Sequence, residues 1–353
     1  MRSPRFRRTV VALVAPVLIL AACGSTSKGG GSGGSGSTTL NGSGSTFQQT
    51  FDQTAIAAFQ SKNKGVTINY AGGGSGKGKT DLQSKTVDFA GTDSTVKDAD
   101  VAKYQGGKFL YFPTVAAPIT VSYKLNGVDS LQLSGPTLAK IFSGTVKKWN
   151  DPAIENDNGN ATIPATDIVI VHRAEASGTT SNFTKYLVSA GGSSWTLGSG
   201  DTVQWPSNSQ AGQGNSGVAQ TISNTDGAIG YVDFSDATQA KLKFASIENK
   251  ANKFMPPTLA GASAAVAAAT IKPDLTYSPL NESGADVYPI TSPTWILVYA
   301  NQTDKAKGTA LKNFLNFVLT DGQGLAEGVN YAKLPTSLQQ KAIAQLASVV
   351  IPA

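Results

Sequence analysis

The sequence predicts an α/β fold in which short strands alternate with helices around largely parallel sheets. Runs rich in β-branched and aromatic residues occur at 66–70, 167–171 and 295–299, and segments with helical spacing of apolar residues separate them. The chain has 353 residues, of which 40% are hydrophobic, so it is long enough for two domains with cores of their own.

Two sets of apolar residues recur every four positions and predict amphipathic helices near the two ends of the folded part. The sets are Phe47, Phe51, Ala55 and Phe59, and Leu338, Ala342, Leu346 and Val350. We expect each set to cover the buried face of its helix. The alanine-rich segment 259–270 predicts a surface helix without a chemical role.

The N-terminus has the pattern of a secretory signal. Four arginines among the first eight residues precede an apolar run at 10–20, which is too short to span a bilayer. The run ends in the sequence LAAC at 20–23, which resembles a bacterial lipobox. By that resemblance, residues 1–22 are a signal peptide and Cys23 becomes the lipidated first residue of the mature chain. Residues 23–38 are mostly Gly, Ser and Thr, and predict a flexible tether.

The net charge of +6 gives little support for nucleic-acid binding. Four of the 29 basic residues lie in the signal, so 25 remain against 23 acidic residues, a net charge of +2. No long run of Lys and Arg remains, and no nucleic-acid partner is expected. Cys23 is the only cysteine and His172 the only histidine. We therefore expect no disulfide, no metal site and no cofactor.

Three segments, at 42–47, 72–76 and 176–180, combine glycine with Ser or Thr where helices are expected to begin. A helix start has unpaired backbone N–H groups and a positive partial charge, and glycine lets an anion approach the backbone. Each segment alone is also typical of an N-cap or a turn. Three together, with Arg173 beside the third, predict an anion-binding site.

Residues 73–80, GGSGKGKT, match the phosphate-binding loop of nucleotide hydrolases and follow a predicted strand. The pattern alone would predict ATP binding. However, the export signal removes the chain from the cytosolic nucleotide pool, and a glycine-rich sequence matches this pattern easily by chance. We therefore favour a site for a small anion.

Seven motifs follow one another along the chain: GSGSTF (42–47), NYAGGGS (69–75), VDFAGTD (87–93), FPTV (112–115), KKWND (147–151), RAEASGT (173–179) and GAIGYV (227–232). With these motifs in this order, the chain from about residue 40 to its C-terminus resembles the substrate-binding protein of the bacterial phosphate (Pst) ABC transporter. The resemblance implies a two-lobe periplasmic-binding-protein fold of type II. Each lobe would be a sheet flanked by helices, with the ligand in the cleft.

Two proline-containing runs, at 112–118 and 288–290, are candidate crossings between the lobes. They divide the folded part into a discontinuous first lobe, 39–115 with 289–353, and a continuous second lobe, 116–288.

The resemblance also implies the residues that bind phosphate, four from each lobe. They are Thr46, Phe47 (through its backbone N–H), Ser75, Asp93, Arg173, Ser177, Gly178 and Thr179. The chain departs from the commonest family pattern at Glu175, where an Asp usually stands, and at Lys77. Glu175 therefore stays outside the predicted site, and His172 is expected to be a hydrogen-bonded structural residue at a strand end.

An acidic residue such as Asp93 can select among anions by whether they carry a proton. Phosphate near neutral pH keeps at least one proton, which it can donate to a carboxylate, whereas sulfate has none and meets like-charge repulsion. The alternative is that Asp93 caps a helix after Thr92.

The resemblance implies an exported, lipid-anchored monomer, not an enzyme. It would capture inorganic phosphate outside the cytoplasmic membrane and deliver it to the permease and ATPase subunits of an ABC importer. Another tetrahedral oxyanion, such as sulfate, molybdate or tungstate, is the alternative ligand. An extracellular phosphatase or a serine hydrolase using Ser177 has less support. Ser177 is not in a Gly-x-Ser-x-Gly motif, and His172 lies only five residues away in the same segment.

Overall fold

The computed structural model describes residues 37–159 and 161–353, and Ser37–Ala353 form one compact unit. The predicted signal peptide, Cys23 and nearly all of the predicted tether lie outside the described residues. The first strand begins at Thr38, the last residue of the predicted tether.

The described residues form twelve strands and eleven α-helices. The strands are β1 (Thr38–Gly44), β2 (Val66–Gly72), β3 (Phe89–Thr92), β4 (Phe109–Tyr123), β5 (Gln132–Leu133), β6 (Val169–Arg173), β7 (Gln210–Gly212), β8 (Ala228–Asp233), β9 (Lys243–Phe244), β10 (Ser246–Glu248), β11 (Phe254–Met255) and β12 (Thr291–Tyr299). The helices are α1 (Gln49–Lys62), α2 (Ser75–Gln83), α3 (Asp98–Val101), α4 (Gly135–Phe142), α5 (Pro152–Asp157), α6 (Gly178–Ala190), α7 (Gly214–Asn224), α8 (Phe234–Gln239), α9 (Leu259–Ala268), α10 (Lys305–Leu319) and α11 (Thr336–Gln345).

Nine strands form one sheet in the order β2-β1-β3-β12-β4-β8-β6-β7, with β9 paired to β4. At one side β1 is parallel to β2 and β3, and at the other β6 is parallel to β7 and β8. The central strands β12 and β4 are antiparallel to each other and to their outer neighbours, β3 and β8. The α/β class is confirmed, but the expectation of largely parallel sheets is wrong for the centre of this mixed sheet. A smaller sheet has the order β11-β10-β5.

The central pair is the longest ladder of the sheet and extends from Phe109 opposite Tyr299 to Pro118 opposite Thr291. Both strands are buried along nearly their whole length, in keeping with sequences that do not alternate between apolar and polar residues. The register shifts between Pro293 and Trp295, where a proline lacks the N–H that a regular ladder needs. β4 contains the predicted crossing at 112–118. The lobe boundaries themselves remain predictions.

Many helices begin where the sequence supplies a side-chain cap. A Ser, Thr or Asp at the N-cap accepts a hydrogen bond from a backbone N–H two or three residues further on. Such N-caps are Ser134 of α4, Asp151 of α5, Ser177 of α6, Asp233 of α8, Thr258 of α9 and Asp304 of α10. Because these hydrogen bonds are local, the start of each of these helices can be predicted from the sequence.

The N-terminal apolar set covers the buried face of α1, as predicted, although Phe47 lies two residues before the helix begins. Phe59 packs against Phe314 and Phe317 of α10, with ring centroids 5.5 and 5.7 Å apart. α1 therefore packs against α10 as well as against β2.

The C-terminal set is only partly correct. Leu338 and Ala342 on α11 and Leu346 beyond it are buried, but Val350 is 56% exposed because the helix ends at Gln345. The alanine-rich segment forms α9, which buries one face and exposes the other, as expected for a surface helix. Within residues 37–159 and 161–353, no helix has the length and apolarity needed to cross a bilayer.

α1 also buries a carboxyl group. Asp52 is 1% exposed, and its Oδ2 accepts a hydrogen bond from Gln48 Nε2 at 2.8 Å. Among the described residues neither Asp52 Oδ1 nor Gln48 Oε1 has a partner. Burial raises the pKa of Asp52 from 3.8 to about 7, since a charged carboxylate without solvent is unfavourable.

We predict that Asp52→Asn stabilises the protein at neutral pH. The folded state holds the Asp52 proton up to a pKa of about 7, whereas the unfolded chain releases it near 3.8, so the parent loses stability as pH rises between these values. Asparagine cannot ionise. Urea unfolding of both proteins should therefore show the advantage of the variant growing from pH 4 to pH 7.5, by up to about 4 kcal/mol. A difference that stays constant over this range would contradict the prediction.

Candidate anion-binding site

The predicted site residues lie where strands end and helices begin. Ser75 is the first residue of α2, which follows β2, and Gly178 is the first residue of α6, which follows β6. Thr46 lies between β1 and α1, and Asp93 directly follows β3. Because β1 is parallel to both β2 and β3, the carboxyl ends of these strands meet at one edge. This edge brings Thr46, Ser75 and Asp93 together.

Arg173, the last residue of β6, supplies the positive charge and is 4% exposed. Its Nη2 donates to Thr46 Oγ1 at 3.0 Å, and its Nη1 donates to Thr179 Oγ1 at 3.2 Å. Nη2 also forms an ion pair with the Glu175 carboxylate. Among the described residues, none accepts a hydrogen bond from the buried Nε. The guanidinium is thus held in place on the side that faces Glu175 and the two threonines.

Asp93 is 1% exposed and accepts two hydroxyl hydrogen bonds. Ser75 Oγ donates to Oδ1 at 2.8 Å, and Thr179 Oγ1 donates to Oδ2 at 3.1 Å. Burial raises the pKa of Asp93, while the nearby hydroxyl groups of Ser45, Ser75 and Thr179 and the charge of Arg173 act in the opposite direction. The carboxyl group therefore takes up a proton more readily than an exposed aspartate does.

The alternative role for Asp93, as a helix cap, is wrong. The next helix, α3, begins only at Asp98 and has Lys97 as its N-cap. The side chain of Asp93 points instead to Ser75 and Thr179, which belong to two other helix starts.

The starts of α2 and α6 approach each other closely. A Cβ on Gly178 would lie 2.6 Å from Ser75 Oγ and 2.7 Å from Asp93 Cγ, which is too close for any larger residue. Nearby, Gly76 N donates to Ala176 O at 3.0 Å. The glycines of these segments therefore allow direct contact between the two donor loops.

The structure joins five predicted side chains in one hydrogen-bonded chain. Its order is Ser75, Asp93, Thr179, Arg173 and Thr46. This hydrogen-bonded chain of side chains connects residues from the two ends of the sheet.

Phe47 and Ser177 have other hydrogen-bond partners. Phe47 N donates to Ser45 Oγ at 3.0 Å, and Ser177 Oγ accepts from Thr180 N at 3.2 Å as the N-cap of α6. Their roles as donors to an anion remain predictions.

Glu175 and His172, which were left outside the predicted site, have different surroundings. Both Glu175 oxygens accept from Gly214 N, at 3.2 and 3.3 Å, so Glu175 connects Arg173 to the start of α7. His172 Nδ1 lies 2.9 Å from Arg173 O, and its ring stacks on Trp205 at a centroid distance of 5.4 Å. Burial lowers the pKa of His172. This environment agrees with a structural histidine at the end of β6.

Lys79, the lysine of the nucleotide-loop pattern, forms an ion pair instead. Its Nζ lies 2.6 Å from Asp201 Oδ2, and the side chains are only 12% and 17% exposed. Lys79 Nζ also donates to Ser94 Oγ at 2.8 Å, and Asp201 O accepts from Ser177 N at 2.9 Å. The pair therefore links α2 to the loop that holds the start of α6.

Sequence reasoning missed the contribution of α7. Asn215, which is fully buried, donates to Thr46 Oγ1 through its backbone N at 3.3 Å and through Nδ2 at 3.2 Å. The segment 212–217, GQGNSG, combines glycine with donor residues much as the three predicted segments do, so a signal was present. The Lys79–Asp201 pair had no such signal, because 122 positions separate its members.

We predict that Lys79→Met lowers the free energy of unfolding by about 1.5–3 kcal/mol, because it leaves Asp201 partly buried without its cation. Lys62→Met is the matched control, since Lys62 pairs with Asp321 at the surface with side chains 66% and 67% exposed. Lys62→Met should lower the free energy of unfolding by less than about 1 kcal/mol. Equal losses for both variants in denaturant unfolding would show that the Lys79 pair has no special role.

Comparisons with known proteins give a consistent family. A model described as a PBP superfamily domain matches residues 30–322. The phosphate-binding protein PstS of Pasteurella multocida (strain Pm70) is 34% identical over 313 residues, which cover 87% of this chain and 89% of the relative. The phosphate-binding protein PstS 3 of Mycobacterium tuberculosis (strain ATCC 25618 / H37Rv) is 33% identical over 365 residues, covering 97% and 98%.

Solved structures show the same fold. The high-affinity periplasmic phosphate-binding protein PfluDING, bound with phosphate, superposes with a TM-score of 0.73 at 22% identity, over 87% of this chain and 94% of that one. The phosphate-binding protein of Stenotrophomonas maltophilia gives a TM-score of 0.70 at 21% identity, over 87% and 94%. The two-lobe, periplasmic-binding-protein class of fold is thereby confirmed. From the matches of sequence and fold together, the chain belongs to the Pst phosphate-binding proteins of the PBP superfamily.

Proposed function

We propose that this protein captures inorganic phosphate outside the cytoplasmic membrane and delivers it to an ABC importer. The relatives named above are phosphate-binding proteins, and more than 30% of their sequence is shared over nearly the whole chain. The observation that carries the proposal is the hydrogen-bonded chain in which a buried Asp93 and a buried Arg173 meet at Thr179.

The group of donors suits a small tetrahedral anion. A desolvated phosphate needs a hydrogen bond for each of its oxygens, and charge-assisted bonds from a guanidinium are the strongest available. Arg173 is the only arginine after the first eight residues. The hydroxyl group of Thr46 and the N-terminal ends of α2 and α6, where Ser75 and Thr179 lie, supply the remaining donors.

Asp93 favours phosphate over sulfate. A phosphate oxygen that carries a proton can donate it to the carboxylate, whereas sulfate can approach only after Asp93 itself has been protonated. Because burial raises the pKa of Asp93, this protonation occurs at a higher pH than in an exposed aspartate. Sulfate binding should therefore strengthen as pH falls.

We infer that the eight predicted residues form the binding site and that the ligand closes two lobes around itself. The proposed lobes are 39–115 with 289–353, and 116–288. Ser75 and Asp93 come from the first and Thr179 from the second, and their hydrogen bonds correspond to a closed cleft. A hinge in β4 and before β12 would let the cleft open to admit phosphate.

The arrangement of the site suits a binding protein better than a hydrolase. Ser177 Oγ accepts from Thr180 N, and His172 Nδ1 faces Arg173 O, so this serine and this histidine are not arranged as a nucleophile and its base. No second function is favoured by any contact of the described residues.

We further propose that the chain is exported and anchored through a lipid on Cys23, as a monomer that meets permease and ATPase subunits at the membrane. The basic start, the short apolar run and LAAC at 20–23 support this proposal. Mass spectrometry of digested, membrane-extracted protein should give an N-terminal peptide that begins with a diacylglyceryl-modified Cys23. An unmodified N-terminal peptide that begins elsewhere would refute the anchor and would not bear on the phosphate site.

Calorimetric titration tests the main proposal. Phosphate should release or absorb heat with one site per chain and should raise the melting temperature, because it binds only the folded form. Small-angle scattering with and without phosphate measures closure. Heat without any change in the radius of gyration would support phosphate binding and contradict closure of the lobes. No heat would contradict both.

We predict different effects for the two buried charges. Arg173→Ala should weaken phosphate and sulfate alike by about 100-fold, because both lose the same cation. Asp93→Asn should lower the phosphate-to-sulfate affinity ratio and abolish the rise in sulfate affinity at low pH, because the amide neither repels sulfate nor titrates. Both anions are titrated against both variants at constant ionic strength. An unchanged ratio in Asp93→Asn would exclude Asp93 as the selectivity residue.

A further inference from the structure

Asn215 is a buried amide whose orientation is set by its surroundings. It is the second residue of α7 and is fully buried. The backbone N–H of Asp233 lies 3.2 Å from its side chain. A backbone N–H can only donate, so the atom that faces it must be the amide oxygen. The Nδ2 group of Asn215 therefore faces Thr46 and Thr179.

Thr46 Oγ1 is surrounded by donors. It accepts from Arg173 Nη2 at 3.0 Å, from Asn215 Nδ2 at 3.2 Å and from Asn215 N at 3.3 Å. None of these N–H groups can accept a hydrogen bond, and Thr46 Oγ1 donates to no atom of the described residues. Its own proton is thus available to a ligand oxygen and can serve no other partner nearby.

Thr179 Oγ1 has a similar surrounding. It accepts from Arg173 Nη1 at 3.2 Å and from Asn215 Nδ2 at 3.4 Å, and it donates to Asp93 Oδ2 at 3.1 Å. Because neither N–H group can accept a hydrogen bond, the hydroxyl proton is left to Asp93. Asn215 therefore contacts one hydroxyl in the segment before α1 and one at the start of α6.

The position of this amide depends on the turn before it. Gly214 has a φ of +68°, in the left-handed region that favours glycine, and its N–H donates to the Glu175 carboxylate. The turn brings the start of α7 against Thr46, with Thr46 Cγ2 3.5 Å from where a Cβ on Gly214 would lie.

We propose that Asn215 is a positioning residue of the anion site, which directs the hydroxyl proton of Thr46 toward the ligand and that of Thr179 toward Asp93. It touches no ligand itself and acts through these two hydroxyl groups. The inference rests on the proposed phosphate function. It predicts that an amide N–H at position 215, and not merely a side chain that fills the space, is needed for tight binding.

The experiment compares phosphate affinity in Asn215→Ala, Thr46→Val and the double variant, with the melting temperature of each ligand-free protein. Asn215→Ala should raise Kd about 10- to 100-fold, as expected for the loss of hydrogen bonds to a polar site. In the Thr46→Val background the same substitution should have a much smaller effect, because one of its two targets is already absent. Effects that multiply fully would show that Asn215 does not act through Thr46 and would overturn the proposal.

A matched control separates positioning from stability. Asn249 is also buried, at 4% exposed, and its Nδ2 donates to the carbonyl groups of Gly284, Ala285 and Val287. Asn249→Ala should lower the melting temperature and leave Kd within about threefold of the parent. If Asn215→Ala behaves in the same way, its role is structural and the proposal fails.

A second variant tests the direction of the hydrogen bonds. Asn215→Asp keeps the side-chain shape and an acceptor for Asp233 N, but its carboxylate accepts from Thr46 and Thr179. The proton of Thr46 then turns away from the ligand and that of Thr179 away from Asp93. The ratio of its Kd to that of the parent should be large at pH 8 and should shrink toward pH 5, as the new carboxyl group gains a proton. A ratio independent of pH would contradict the proposal. A parent that binds no phosphate would instead refute the function itself.

Discussion

The buried charge of Arg173 is the constraint on which the site depends. A guanidinium that is 4% exposed must have partners for its charge and its N–H groups. Glu175 supplies the charge, and Thr46 and Thr179 supply two acceptors. Glu175 in turn is held by Gly214 N. The start of α7 is thus connected to the end of β6 through the group that keeps the arginine in place.

This arrangement makes the site polar without making it strongly positive. Arg173 is matched by Glu175, and Asp93 adds a carboxyl group that burial makes easier to protonate. An anion would therefore be stabilised by oriented N–H and O–H groups more than by net charge, which is how oxyanions are held at helix starts. Selectivity then depends on where each proton points. The Thr179 hydroxyl, for example, accepts from Arg173 and Asn215 and donates to Asp93.

The two donor loops touch through very small residues, and an ion pair lies beside their contact. Gly178 packs on Ser75 and Asp93 with no room for a Cβ. At the side of this contact, the Lys79–Asp201 pair joins α2 to the loop that precedes β7. The glycines that made residues 73–80 resemble a nucleotide loop are used here for close approach, and the lysine of the pattern belongs to this ion pair.

Much of the local structure followed from the sequence alone, and so did most of the residues of the candidate site. Ser177 and Asp151 mark helix starts because a cap needs only an N–H two or three residues away. The motif order, by resemblance, indicated the five side chains that the structure joins in one hydrogen-bonded chain. What the sequence could not determine involves partners far apart in the chain. The antiparallel β4–β12 pair, the Lys79–Asp201 ion pair, the hydrogen bond from Asn215 to Thr46 and the burial of Asp52 all depend on which segments meet in space. Local hydrogen bonds and apolar periodicity are encoded within a few residues, whereas these contacts exist only after the whole sheet has assembled.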